Sequence, residues 1–97
     1  MALTVLLDLQ LDPDKLELAD GVLRETLAQT RAFDGCLRLE VLTDTEDPAH
    51  VLVVEEWESL EADSAYRAWR AGEGRSNLGS VLAQPGVITR YQVRAGV

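Results

Sequence analysis

Residues 51–69 read VLVVEEWESLEADSAYRAW, and the reading of this stretch decides the fold. Val51, Leu52, Val53 and Val54 are β-branched or aliphatic and predict a strand that continues through Glu55, Glu56 and Trp57. Ser59 suits a helix N-cap, and Asp63 falls in the first turn after it, where negative charge complements the helix dipole. Ala62, Ala65, Tyr66 and Trp69 then recur at three- and four-residue spacing, one face of a helix. The chain thus turns after Trp57 and sends a helix back with Tyr66 and Trp69 on its buried side. Both tryptophans and one of the two tyrosines lie in this unit. That concentration makes it the first place to seek a ligand pocket.

Upstream, residues 3–11 alternate, with Leu3, Val5, Leu7, Leu9 and Leu11 on one face, the pattern of a half-buried strand. Asp12-Pro13 stops it and opens a helix, Asp12 as N-cap and Pro13 at the first helical position. Leu16, Ala19, Leu23, Leu27 and Thr30 form its inner stripe, and the helix ends near Phe33, before an Asp34-Gly35 turn. Gly21 within it costs about 1 kcal/mol against alanine, which points to close packing or a local bend. Residues 36–43 predict a second strand, with Leu37, Leu39 and Val41 on one face. Residues 43–48, TDTEDP, form a polar hairpin connection to the third strand.

Downstream, Gly72 and Gly74 end the second helix, glycine suiting the left-handed residue after a helix end. Leu78, Val81 and Leu82 predict a short extra helical turn. Pro85-Gly86 is a turn, and residues 87–93 form a last strand with Val87, Thr89, Tyr91 and Val93 on one face. The order β-α-β-β-α-β predicts an α+β, ferredoxin-like antiparallel sheet with both helices on one side. Residues 1–97 make one domain.

The net charge of −8 argues against nucleic acid, whose phosphates an acidic surface repels, and against anionic membranes. The single cysteine, Cys36, permits no intramolecular disulfide and fits a reducing compartment. The first ten residues lack a basic flank and meet Asp8 too early for a signal peptide. No apolar run approaches the roughly 20 residues of a membrane span. A cytoplasmic protein is expected. Its second sheet face would carry Leu6, Asp8, Arg38, Glu40, Leu42, Arg90 and Gln92. Opposite charges beside aliphatic residues suit a homodimer formed across a two-fold axis; the alternative is an exposed face with cross-strand ion pairs, each worth little.

Gly35-Cys36-Leu37, Glu55-x-Trp57-Glu58-Ser59 and Glu61-Ala62, in this order and spacing, resemble the antibiotic biosynthesis monooxygenase domain family. The resemblance runs from about Leu3 to Val93. It implies a ferredoxin-like protomer whose sheet pairs into a dimeric α+β barrel, and membership of a group that includes cofactor-free oxygenases, haem-degrading enzymes and small-molecule isomerases. Two departures stand out. Tyr66 takes the place of a helix histidine found in many relatives, and the only histidine, His50, starts the third strand beside the hairpin. Histidine-ligated haem is therefore not expected. Val53 and Val54 stand where some oxygenases of the family carry an asparagine.

Trp57 is the candidate wall for stacking on an aromatic ligand, Tyr66 the candidate hydroxyl for a substrate oxygen, and Trp69 a further contact. The alternative for each is a place in the core. Glu55 shares the parity of Val51, Val53 and Trp57, so it points inward, where burial makes a carboxylate a stronger base. Its alternative is an ion pair with Arg38, Arg90 or Arg94. His50 is otherwise a loop residue and Cys36 a small buried hydrophobe. Arg67, Arg70 and Arg75 either draw in an anion or sit on a solvated face. One histidine and one cysteine build no zinc or iron ligand set, so neither metal nor cofactor is expected. The expected function is a cofactor-independent monooxygenase acting with dioxygen on a small aromatic polyphenol or quinol. The alternatives are an isomerase or epimerase, and a non-catalytic dimeric ligand-binding protein.

Overall fold

The computed structural model describes residues 2–97. Four strands, β1 (Leu3–Gln10), β2 (Cys36–Asp44), β3 (Asp47–Trp57) and β4 (Val87–Tyr91), form one sheet in the order β2-β3-β1-β4, every neighbour antiparallel. Helices α1 (Leu16–Ala32) and α2 (Leu60–Ala71) cover one face. This is the expected ferredoxin-like α+β architecture.

Local chemistry sets the joints. Asp12 accepts from the Asp14 amide at 2.9 Å and opens a 3-10 turn, Pro13–Lys15, that leads into α1. Ser59 caps α2 as expected, its hydroxyl accepting from the Ala62 amide at 3.1 Å. Gly35 adopts φ +95 in the turn after α1, where a Cβ would also lie 2.5 Å from that of Ala62. The Gly35 carbonyl accepts from the Glu58 amide at 2.9 Å, joining the two crossover ends. The hairpin is tighter than the six residues expected, because β2 runs to Asp44 and β3 begins at Asp47.

Four expectations are corrected. A Cβ at Gly21 would meet nothing within 4 Å, so that glycine marks no close packing. Gly74 has no left-handed backbone; its lack of a side chain admits the Trp69 indole, which a Cβ would overlap. A register shift between Cys36 and Arg38 extrudes Leu37 from the face of Leu39 and leaves it exposed. The parity of β4 is the reverse of that expected on the open face. Arg90 pairs with Val5 and Ile88 with Leu7, so these two face the helices, while Val87, Thr89 and Tyr91 face outward.

The apolar core is in two pieces. Leu9, Leu23, Leu27, Leu39, Val51 and Val53 pack beneath α1. Leu3, Val5, Trp57 and Tyr66 pack beneath α2, with Phe33 and Trp69 against them. Leu7 and Glu55 lie on the same sheet face, along the seam between the two. Burial on one side of a four-stranded sheet leaves the other bare, and there Leu42, Val87 and Tyr91 stand exposed. Among the described residues no helix is long and apolar enough to cross a membrane.

Candidate active site

A cavity of about 340 Å³ opens along that seam. Leu7 of β1, Glu55 of β3 and Ile88 of β4 form its floor; Leu27 and Leu78 add apolar walls. Tyr66, Arg67 and Arg70, on one face of α2, close it from above. Its size and mixed lining, with a mostly apolar surface and a few converging polar groups, suit a small organic ligand.

Glu55 is 1% exposed. Strand alternation turns it inward with Val53 and Trp57, as expected from parity. Its Oε1 accepts from the Trp57 indole at 2.9 Å and from Arg67 Nη2 at 2.6 Å. Its Oε2 is buried with no hydrogen-bond partner among the described residues. The ion-pair partner is Arg67; Arg38 pairs with Glu40 at 2.9 Å on the open face instead. Arg67 also donates from Nε to Asp63 Oδ1 at 3.0 Å, and Arg90 donates to Asp63 Oδ2 at 2.6 Å. Trp57, Glu55, Arg67, Asp63 and Arg90 therefore form one continuous polar chain joining β3, α2 and β4. Asp63 is 0% exposed, so its negative charge is paired with two arginines rather than solvated.

The aromatic residues divide. Trp57 is 0% exposed and does not line the cavity; it packs beneath the helices and touches the site through its indole N–H. Trp69 also stands off the cavity, 5.4 Å between centroids from Phe33 and with the Arg70 guanidinium over its ring at 4.8 Å. Only Tyr66 lines the cavity. Its hydroxyl is committed to α1: it lies 2.6 Å from Thr30 Oγ1 and accepts from Arg70 Nε at 2.6 Å. Thr30 Oγ1 donates to the Thr26 carbonyl at 3.2 Å, so the tyrosine proton goes to Thr30. Tyr66 thus offers the cavity its ring, not a free hydroxyl. The wall expected of Trp57 and Trp69 is supplied by Tyr66 and aliphatic side chains.

His50 lies on the open sheet face, bonded to Asp44 at 2.8 Å and Asp8 at 2.9 Å. These bonds raise its pKa above the ordinary histidine value, Asp44 contributing most. Cys36 is half-buried; burial first and the nearby Glu55 second push its thiol pKa up, so it stays protonated near neutrality. Among the described residues no three His, Cys, Asp or Glu side chains converge on a point that could hold a metal ion.

The sequence profile of antibiotic biosynthesis monooxygenases matches residues 2–77, which hold both helices, β1 to β3, Glu55 and the α2 arginines. The chain belongs to the antibiotic biosynthesis monooxygenase family. Solved structures agree with this placement. A conserved protein from Methanosarcina mazei Go1 superposes with a TM-score of 0.81 at 22% identity, over 97% of this chain and 94% of that one. An antibiotic biosynthesis monooxygenase superposes at 0.78 and 22% identity, over 95% and 98%. A protein from Pseudomonas aeruginosa reaches 0.74 at 25% identity, over 97% and 95%. At 22% identity the first two establish the fold alone. No curated protein matches the sequence.

Within this antibiotic biosynthesis monooxygenase domain, the expected catalytic and binding residues did not include Asp63, Arg67 or Arg90. Asp63 carried the ordinary signal of a first-turn acid, Arg67 was read as drawing in an anion or sitting on a solvated face, and Arg90 as one partner open to Glu55. A signal was present nonetheless. Asp63, Tyr66, Arg67 and Arg70 recur at three- and four-residue spacing on the side that Tyr66 already turned inward.

Proposed function

We propose that the protein is a cofactor-independent monooxygenase acting on a small, electron-rich hydroxyarene. The observation that carries this reading is Glu55 Oε2, a buried carboxylate oxygen without a partner on a residue that lines the cavity. An acceptor withdrawn from water is costly unless something donates to it, and a phenolic O–H fills the need. Leu7, Leu27, Leu78, Ile88 and the ring of Tyr66 provide the apolar surroundings for the ring. Membership of the monooxygenase family and the likeness to a structure so named support the same reading.

In this scheme Glu55 takes the phenolic proton. The resulting phenolate passes one electron to dioxygen, the ligand radical and superoxide combine at an activated ring CH position to give a peroxide anion, and Glu55 returns its proton to make the hydroperoxide. Loss of water leaves a carbonyl. One dioxygen is consumed; one of its atoms enters the product and the other leaves as water, the ligand supplying two electrons and both hydrogens, one from its O–H by way of Glu55 and one from the ring carbon. The protein binds, deprotonates and keeps bulk water away.

The test is oxygen uptake with anthrone and dihydroxynaphthalene, wild type against Glu55→Gln. The expected loss is on the order of 100-fold or more, the usual worth of a positioned general base. A folded Glu55→Gln variant with undiminished uptake refutes the assignment. Proton exchange at ligand carbon without oxygen uptake favours an isomerase, and binding without either favours a ligand-binding protein.

The open sheet face suits a second copy of the chain. Leu42, Val87 and Tyr91 are exposed there beside Arg38, Glu40 and Asp8, a mixture that a two-fold axis can satisfy. Light scattering at micromolar concentration should give twice the chain mass; a monomer mass overturns the pairing.

A further inference from the structure

Arg67 and Arg70 both line the cavity, yet their donors are used differently. A guanidinium carries five N–H groups. Arg70 directs all three nitrogens to five acceptors: Tyr66 Oη, Gln29 Oε1, and the carbonyl of Gly74, with the Thr26 carbonyl and Thr30 Oγ1. It is a strut between α2 and α1. Arg67 bonds through Nε and Nη2 alone, to Asp63 and Glu55. Among the described residues nothing accepts from its Nη1. Of the two guanidinium groups that line the cavity, only that of Arg67 keeps unspent N–H donors, and its partner Glu55 keeps an unspent acceptor.

We propose that Arg67 is the oxyanion-binding residue of this cavity, exchanging Glu55 for the ligand oxygen as the proton passes to Glu55, with Asp63 and Arg90 as its positioning residues. This rests on the reading of Glu55 as the base. Before transfer, the Glu55 carboxylate pairs with Arg67 and the ligand is neutral. The O–H bond of the ligand breaks and a bond forms from its proton to Glu55 Oε2. Glu55 is then neutral, the ligand oxygen carries the negative charge, and Arg67 has a new counter-ion. No charge enters or leaves the cavity, so no step leaves the half-buried Arg67 guanidinium short of a counter-ion beside the buried Glu55, and broken pairs at buried groups are costly. Asp63 does not join the exchange, because Arg90 holds its second oxygen at 2.6 Å. It keeps Arg67 anchored by Nε while the other end of the guanidinium changes partner. The ligand class follows: an aromatic ring with an ionisable hydroxyl, since a methyl ether at that position offers Arg67 no oxyanion.

The probe is 4-nitrophenol, whose phenolate has its own visible absorption band and which needs no oxygen. It is mixed with the purified protein at a pH about one unit below its own pKa, and 4-nitroanisole serves as the ether control. Wild type is expected to increase the phenolate band on binding. Arg67→Gln should cut the bound phenolate fraction by about tenfold, one pKa unit. Arg67→Lys keeps a positive charge beside Asp63 and Glu55, and so the fold, but its single ammonium replaces a fork with a point; it should cut the fraction at least about threefold. Anisole binding should be unchanged in both. Failure of wild type to bind nitrophenol, binding as the neutral phenol, a wild-type band in a folded variant, or an equal loss of anisole binding each overturns the proposal. These readouts separate from oxygen uptake. A phenolate band without uptake removes the monooxygenase reading and leaves Arg67 its role. Uptake lost in Glu55→Gln, with the band retained in Arg67→Gln, does the reverse.

Discussion

The Trp57 indole donates to Glu55 Oε1 at 2.9 Å, and both side chains are withdrawn from water. They stand two residues apart on the inner face of β3, so strand alternation itself brings them together. The tryptophan is thereby a positioning group for the carboxylate, fixing one oxygen while Oε2 keeps no partner among the described residues.

Trp57→Phe should therefore act on stability before binding. It removes a hydrogen bond to a charged acceptor and leaves a void in a packed cluster, together about 2–4 kcal/mol. Urea denaturation at fixed pH measures this. A change below about 0.5 kcal/mol, the size of an ordinary surface substitution, would show that the indole bond is not made in solution.

Tyr66→Phe tests the other half of the aromatic cluster. The ring remains beside the cavity, but Arg70 Nε and Thr30 Oγ1 lose the group they share. A loss of about 1–3 kcal/mol is expected for stranding buried polar groups. Ligand affinity should stay within about threefold of wild type. A fall in kcat of about 100-fold with stability unchanged would instead mark the hydroxyl as a catalytic donor.

The fold was legible because its signals agree. Period-two alternation in β1 and β3, Ser59 before α2 and Asp12-Pro13 before α1 each specify one local structure. β4 was not legible in the same way. Val87, Thr89 and Tyr91 are no less apolar than Ile88 and Arg90, so the pattern has no preferred face. Register against β1 decides, and an ion pair from Arg90 to the buried Asp63 goes with it. The site was legible in part. Strand parity found Glu55 and hydrophobicity found Trp57, Trp69 and Tyr66. Asp63 and Arg67 of α2 are held by ion pairs with each other, with Arg90 and with Glu55, and no hydrophobic period records that.

Gly74→Ala should unseat Trp69. A Cβ would overlap the indole ring, which also lies under the Arg70 guanidinium. Overpacking of this kind costs about 1–3 kcal/mol, and near-ultraviolet circular dichroism should report the displaced tryptophan. An unchanged spectrum and Tm would mean that the loop after α2 yields freely.

His50 should give the protein a pH dependence of defined sign. Its bonds to Asp44 and Asp8 raise its folded pKa, so their stabilisation is fully present below the unfolded value, about 6.5, and fades as pH rises through the folded one. The bond to His50 is the first cause that lowers the Asp44 pKa; that contribution is present above about pH 4 and fades as pH falls through the lowered value. The cluster therefore supports the fold best between about pH 4 and 6.5. His50→Gln removes the charge that both carboxylates face. It should flatten the decline in Tm between pH 6 and pH 8.5, and high salt should flatten it in wild type too, because all three groups are solvent-accessible. A wild-type Tm that rises over this interval, or a variant with the same slope, would mean that the cluster does not hold in solution.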